Sequence, residues 1–362
     1  MNTIVTFGEI MCRLATPGHL RLRQTRQFDV IYAGAEASVA SSICNFGGQA
    51  RFVTALPKHV LADATIDTLR SVGIDTHSVV RTDRGRLGLY FLETGANQRP
   101  SNVVYDRADS SISITPADEY DWDQIFVDAS WLHLSGITPA LSATAAEATR
   151  VAAERAQAAG VTVSCDLNFR KKLWQWEASK KPRELAEQTM RKLLPYLDVV
   201  IANEEDCADV LGIHAHETNV ESGILDTRRY PDVARQLVAQ FPNVKKVGIT
   251  LRESISASHN NWGAMLYDAS SDQPYFAPLD ENGNYHAYSI KNIVDRVGGG
   301  DSFAAGLIFA LTTDELSEPQ TALRFAVAAS CLKHSILGDV NYSTRAEVES
   351  LMGGSTSGRV VR

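Results

Sequence analysis

Basic excess is missing from this sequence of 362 residues: 35 Lys and Arg stand against 43 Asp and Glu, for a formal net charge of −8. A general nucleic-acid or membrane-surface binder needs positive charge to spare, so neither partner is expected. A small anionic substrate is not excluded, because a few placed arginines suffice for it. Cysteine is scarce and scattered. Cys12, Cys44, Cys165, Cys207 and Cys331 are odd in number and never spaced C-x-x-C, so no disulfide framework or zinc site is legible and a reducing compartment is expected. No apolar run approaches the roughly 20 residues of a membrane span. The start, MNTIVTFGEI, lacks a basic stretch ahead of an apolar one, so no secretory signal is expected and the reading is cytoplasmic. Also absent are G-x-x-x-x-G-K-[ST] and a G-x-G-x-x-G after the first strand, which removes support for Walker-type nucleotide handling and Rossmann dinucleotide binding.

What is present is ordinary in bulk, 44% hydrophobic and 22% charged, and ordered in pattern. Runs rich in β-branched residues (TIVTFG, ARFVTAL, WLHLSG, VTVSCDLN, DVVIAN, VKKVGITL) alternate with stretches of helical period such as GAEASVASSICNFG and PRELAEQTMRKLLPYL. The alternation predicts an α/β fold: a mostly parallel central sheet with helices on both faces. Two more helices are expected near 301–312 and 318–334. Residues 10–32 and 84–115 break the rhythm, and the second alternates like a hairpin around TGANQRP. These two excursions are expected to form a small β-sheet over the strand ends, or else two separate surface hairpins. The implied division is a core of 1–9, 33–83 and 116–352, a β lid of 10–32 and 84–115, and a disordered Gly/Ser-rich tail over 353–362.

The stretch DRVGGGDSFAAG, residues 295–306, sets three glycines directly before an aspartate and an apolar run. Successive glycine amides can converge on one point, and a helix N-terminus adds partial positive charge. Gly298, Gly299 and Gly300 therefore suit the charge on a transferring phosphoryl group. Asp301 is open to two readings, a plain N-cap or a base for an attacking hydroxyl.

These residues resemble the D-T-x-G-A-G-D-x-F-x-x-G signature of the ribokinase-like (PfkB) carbohydrate kinases. Arg296 stands for the usual Thr and Gly299 for the usual Ala. The resemblance implies ATP and Mg²⁺ as partners and makes Asp301 the general base, with a cap role able to coexist. It extends to YAGAEASVA, where Gly34 and Ser38 fall at the family's substrate-side turn. It continues in CDLNFRKKLW, which places Asp166, Asn168 and Arg170 at a strand end where open α/β sheets bind ligands. Arg170 is a candidate for clamping a carboxylate, and Asn168 for the nucleotide side. In IANEEDCADVLG the resemblance implies Asn203 near the nucleotide, with Asp206 or Glu205 organising Mg²⁺ through water. Thr250, Arg252 and Ser254 are expected to face phosphate or ribose. Val327 is expected to leave an apolar adenine contact, and Asp295 and Val297 match positions for a monovalent cation such as K⁺.

In the hairpin LGLYFLETGANQRPSNVVYDRADSS, Tyr105 and Arg107 share one strand face, and Tyr90 lies on the facing strand. With Arg170 they would make a cationic, hydroxyl-rich lid over a sugar acid; a neutral sugar needs no second arginine. This region, with FGEIMCRLATPG and CLKHSILGDVN, is similar to the 2-keto-3-deoxygluconate kinases of the family. The expected reaction is ATP-dependent phosphorylation of the C6 hydroxyl of 2-dehydro-3-deoxy-D-gluconate, in a homo-oligomer joined through the lid. The alternatives are a kinase for 2-dehydro-3-deoxygalactonate or fructose, and a non-catalytic sugar-acid sensor. His59, His133 and His259 show no ligand spacing and are read as structural.

Overall fold

The computed structural model describes residues 3–203, 205–213 and 229–354. In chain order the strands are β1 (Thr3–Phe7), β2 (Met11–Ala15), β3 (Asp29–Ala33), β4 (Ala50–Val53), β5 (Ala55–Pro57), β6 (Val80–Thr82), β7 (Gly88–Glu93), β8 (Asn102–Asp106), β9 (Ala129–Ser135), β10 (Thr162–Asp166), β11 (Val199–Asn203), β12 (Lys246–Ser256), β13 (His259–Asp268), β14 (Gln273–Ala277) and β15 (Tyr288–Lys291). The helices are α1 (Ala35–Asn45), α2 (Val60–Ser71), α3 (Ser111–Ile114), α4 (Trp122–Ile125), α5 (Ala143–Ala158), α6 (Pro182–Leu193), α7 (Asp206–Leu211), α8 (Tyr230–Gln240), α9 (Gly299–Leu311), α10 (Pro319–Lys333) and α11 (Arg345–Met352). Among the described residues no helix is long and apolar enough to cross a membrane.

The large sheet runs β14-β13-β12-β11-β10-β9-β1-β4, with β15 added beside β13. From β12 to β4 every pairing is parallel; β13 turns back antiparallel on β12. Side chains alternate across the sheet, and both faces are buried. On β1, Val5 and Phe7 enter one apolar core while Ile4 enters the other. Helix α5 buries Ala148, Ala152 and Ala156 in the first core, a stripe at every fourth residue on one helix face. Helices α1, α9 and α10 fill the second. This is why the central strands read as nearly continuous apolar runs.

The segments that broke the βα rhythm form one separate sheet, ordered β3-β2-β7-β8, with β7 and β8 as the antiparallel hairpin. The small sheet is fixed to the core by a buried ionic joint. Arg13, on β2 and wholly buried, gives one guanidinium nitrogen to Asp339 and another to Asp295 at 2.5 Å. Tyr90, on β7, donates its hydroxyl to the other Asp339 oxygen at 2.6 Å. Burial alone would lower the Arg13 guanidinium, but the charges of Asp339 and Asp295 more than reverse this and hold it above its ordinary value. The tail expected to be disordered lies, from residue 355 on, outside the described residues.

Candidate active site

A cleft of about 420 Å³ opens at the C-terminal ends of β9, β10 and β11, under the small sheet. That is where the parallel topology leaves strand ends and helix N-termini converging. Its floor is the start of α9. Gly298 sits at the N-cap with φ of +85°, a left-handed conformation that a side chain resists, and a Cβ there would meet the Asp339 carbonyl at 1.9 Å. The first intrahelical bond runs from Ser302 N–H to Gly298 O. The amides of Gly299, Gly300 and Asp301 therefore precede the ladder and have no partner within it.

Asp301 lines this floor as the third residue of α9, so the N-cap position is taken by Gly298 and not by Asp301. Its carboxyl is pushed up to about 7, by burial first, then by the charges of Asp339 and Glu36, with Arg170 and Lys333 pulling the other way. Asp166, at the end of β10, is raised by burial and then by Asp206 and Asp301. Three carboxylates around one cleft repel one another and attract a cation. Among the described residues, however, no group of three or more His, Cys, Asp or Glu forms a direct metal cage. Mg²⁺ keeps most of its water and takes few protein ligands, so it does not need such a cage, and Asp166 and Asp206 in the lining are the carboxylates that could hold it. Asp206 also clamps two loops, accepting Phe169 N–H at 3.1 Å and Asn203 N–H at 3.0 Å.

Of the residues read from the sequence, the cleft brings together Gly34, Tyr90, Tyr105, Arg107, Asn168, Arg170, Asn203, Asp206, Thr250, Arg252, Val297 and Gly298 to Asp301. Several differ from expectation in what they do there. Arg107 is not free: its guanidinium donates to Glu9 Oε2, at 2.7 Å from Nε, and lies 5.3 Å from the Tyr105 ring centre. Arg170 is exposed, and among the described residues it has no carboxylate at ion-pair distance; its NH1 donates only to the Phe169 carbonyl.

Four sequence assignments are corrected. Ser38 is buried and lines a second cavity of about 290 Å³ with Ala37 and Ser41, one turn further along α1 than the Gly34–Glu36 stretch that lines the cleft. Glu205 is exposed and outside the cleft lining, since α7 turns Asp206 inward instead. Ser254 is also outside it, two residues beyond Arg252 on a strand that is leaving the cleft. Asp295 does not offer a free carboxylate to a monovalent cation. It is taken by Arg13, the Gly338 amide at 3.1 Å and the Val297 amide at 3.0 Å, and its carbonyl receives the Lys333 ammonium at 3.4 Å.

Sequence reasoning missed Glu36, Asp339 and Trp262. Glu36 looks like a first-turn acid of α1, yet it is buried in the cleft wall. Its Oε1 accepts from Ser135 at 2.6 Å and Thr138 at 3.0 Å, and its Oε2 finds no partner among the described residues. No local signal marks it. Asp339 has a faint one, an acid in the GDVN turn after α10.

Residues 1–342 match the pfkB family carbohydrate kinases. A 2-dehydro-3-deoxygalactonokinase of Haloferax volcanii is 32% identical over 355 residues, covering 98% of each chain. A 2-dehydro-3-deoxygluconokinase of Bacillus subtilis is 26% identical over 352 residues, covering 96% of this chain and 94% of its own. The crystal structure of a 2-dehydro-3-deoxygluconokinase from Thermotoga maritima superposes with a TM-score of 0.87 at 44% identity, covering 98% of this chain and 100% of that one.

Proposed function

The chain belongs to the pfkB family of carbohydrate kinases, and from that premise we propose that it moves the γ-phosphoryl group of ATP to the C6 hydroxyl of 2-dehydro-3-deoxy-D-gluconate, with Asp301 as the base. The observation that carries this reading is a carboxyl held near pH 7 beside the Gly298–Gly300 amides, with the unpaired Arg170 guanidinium in the same cleft. Asp301 takes the proton of the C6 hydroxyl as its oxygen attacks the γ-phosphorus. The bond from that phosphorus to the bridging oxygen breaks, and ADP leaves with the electron pair. The amides at the start of α9 meet the charge on the transferring group. Mg²⁺, when bound near Asp166 and Asp206, would neutralise charge on the nucleotide's phosphoryl oxygens.

Arg170 holds the substrate carboxylate in this reading, while Arg107, tied to Glu9, and Tyr105 shape the opposite wall. The small sheet acts as the lid, keeping water from the phosphoryl group. A coupled ADP-release screen tests the reading. Turnover is expected for 2-dehydro-3-deoxygluconate well above fructose. Arg170→Met is expected to lower kcat/KM for sugar acids by about 10- to 100-fold, the size of a lost charge-assisted contact, and to spare fructose. Equal use of fructose would overturn the acid preference. Tight sugar-acid binding without ADP release would instead indicate a sensor. The galactonate epimer is the second reading, favoured by the 32% identity to the Haloferax volcanii enzyme, and the same screen ranks the two.

A homo-oligomer joined through the small sheet belongs to this reading as well. Phe28, Val30 and Val104 there are exposed. Val30→Asp is expected to shift sedimentation toward the monomer, and an unchanged sedimentation coefficient would remove this face from the assembly.

A further inference from the structure

Two residues of Asp295–Gly300 depart from the usual signature, Arg296 and Gly299, and the chemistry above uses neither departure. Both belong to one wall of the cleft. A Cβ on residue 299 would meet the His334 ring at 3.0 Å, so Gly299 makes room for that imidazole. His334 lies 5.1 Å, ring centre to ring centre, from Trp262. Trp262 in turn stands opposite Arg252 in the β12–β13 register. Arg296 reaches the same hairpin, donating from NH2 to the Ser256 carbonyl at 3.1 Å and to Asn260 Oδ1 at 2.6 Å. Arg252, Trp262, Arg296 and Gly299 all line the cleft.

This wall is short of negative charge. Among the described residues neither Arg252 nor Arg296 has a carboxylate within the 4.0 Å of an ion pair. It is also short of acceptors. Among the described residues, the buried Nε of Arg296, Nε1 of Trp262 and Nδ2 of Asn260 are N–H donors that find no partner. Trp262 and Asn260 are only 4% and 1% exposed, so water does not readily serve them. Burial, then the charge of Arg252, depresses the Arg296 guanidinium below its ordinary value, and an anion between the two would relieve that repulsion. Unpaired donors and two unneutralised guanidiniums are complementary to a polyanion rich in oxygen acceptors.

We propose that Arg296 is a phosphate-binding residue which, with Arg252 and the Trp262 indole N–H, grips the phosphate chain of the donor nucleotide. The proposal rests on the kinase reading only for the identity of the anion. Titration calorimetry on the full chain without sugar tests it, using ADP, ATP and adenosine. Arg296→Met is expected to weaken ADP and ATP binding by about 10- to 100-fold, the effect of losing a charge-assisted contact, and to leave adenosine binding unchanged. Arg296→Lys, which keeps the charge but loses the planar fork, falls between. The remaining nucleotide affinity becomes less sensitive to salt.

If Arg296 were only a strut for the β12–β13 hairpin, adenosine binding would fall in step with ADP. That result, or unchanged ADP affinity, overturns the proposal. Should Arg296→Met fail to fold, Arg252→Met, which cuts none of the Arg296 hairpin bonds, must still give the phosphate-selective loss. ADP binding that depends on Arg296 in a protein that phosphorylates no sugar acid would sink the function proposed above and leave this inference standing. Sugar-acid turnover with ADP affinity unmoved by the exchange would do the reverse.

Discussion

Asp301→Asn is expected to fold normally and to turn over about 100- to 10,000-fold more slowly, the range for loss of a positioned base. The amide keeps the shape of the carboxyl but cannot take the hydroxyl proton. In the parent protein kcat/KM should rise with pH through about 7, because burial and the Asp339 and Glu36 charges hold the free carboxyl protonated below that point. The variant should lose this limb. Stability carries an independent signature. A carboxyl raised in the folded state binds its proton more tightly there than in the unfolded chain. Its contribution is therefore complete below the ordinary carboxylate pKa and is lost as pH rises through about 7. Asp301→Asn should accordingly melt above the parent at pH 8, by a margin that shrinks as pH falls and closes only below the ordinary carboxylate pKa. Near-parental turnover in the folded variant would end the assignment of Asp301 as base.

Arg13→Met should have the largest effect on stability, about 3–5 kcal/mol, because it strands two buried carboxylates, Asp295 and Asp339, without their shared cation. Calorimetry should record a melting temperature lower by roughly 4–7 °C in a chain of this size. The consequence reaches the site, since Asp295 is three residues before Gly298 and its carboxylate holds the Val297 amide. Turnover is expected to fall together with stability. Combining Arg13→Met with Asp339→Asn should cost less than the two single changes summed, because the second removes a charge that the first has orphaned. Costs that simply add would mean that the joint does not couple the small sheet to the core.

Much of the architecture was legible because it follows from periodicity. Ile4 against Val5 and Phe7 already implies a strand buried on both faces, and Ala148, Ala152 and Ala156 imply a helix covering one of them. The small sheet was legible as two breaks in that rhythm, each an antiparallel pair, joined by one parallel contact between β2 and β7. The cleft residues Asp166, Asn168 and Arg170 were placed at a strand end by the same logic, whereas Asn203 came from the family resemblance alone.

What stayed hidden was partnership across long sequence separations. Glu9 captures Arg107 from 98 residues away, and Asp339 holds Tyr90 from 249. Glu9 has no local pattern announcing it and Asp339 only the faint one of the GDVN turn, and so both basic and phenolic groups looked free for substrate. Ser38 failed for a different reason. One helix turn after Gly34 it is displaced along the α1 axis into a neighbouring cavity, so a short sequence spacing still leaves it outside the cleft.

The contact between Gly299 and the His334 ring makes two positions 35 residues apart a single choice. A chain that keeps the imidazole cannot accept a methyl group at 299 unless the ring moves, and a chain that carries alanine there needs a smaller or displaced neighbour on α10's C-terminal side. Restoring the common alanine alone should therefore injure this protein more than restoring it with a small residue at 334. In comparing other chains, glycine at the first site and a bulky ring at the second should be inherited as a matched set.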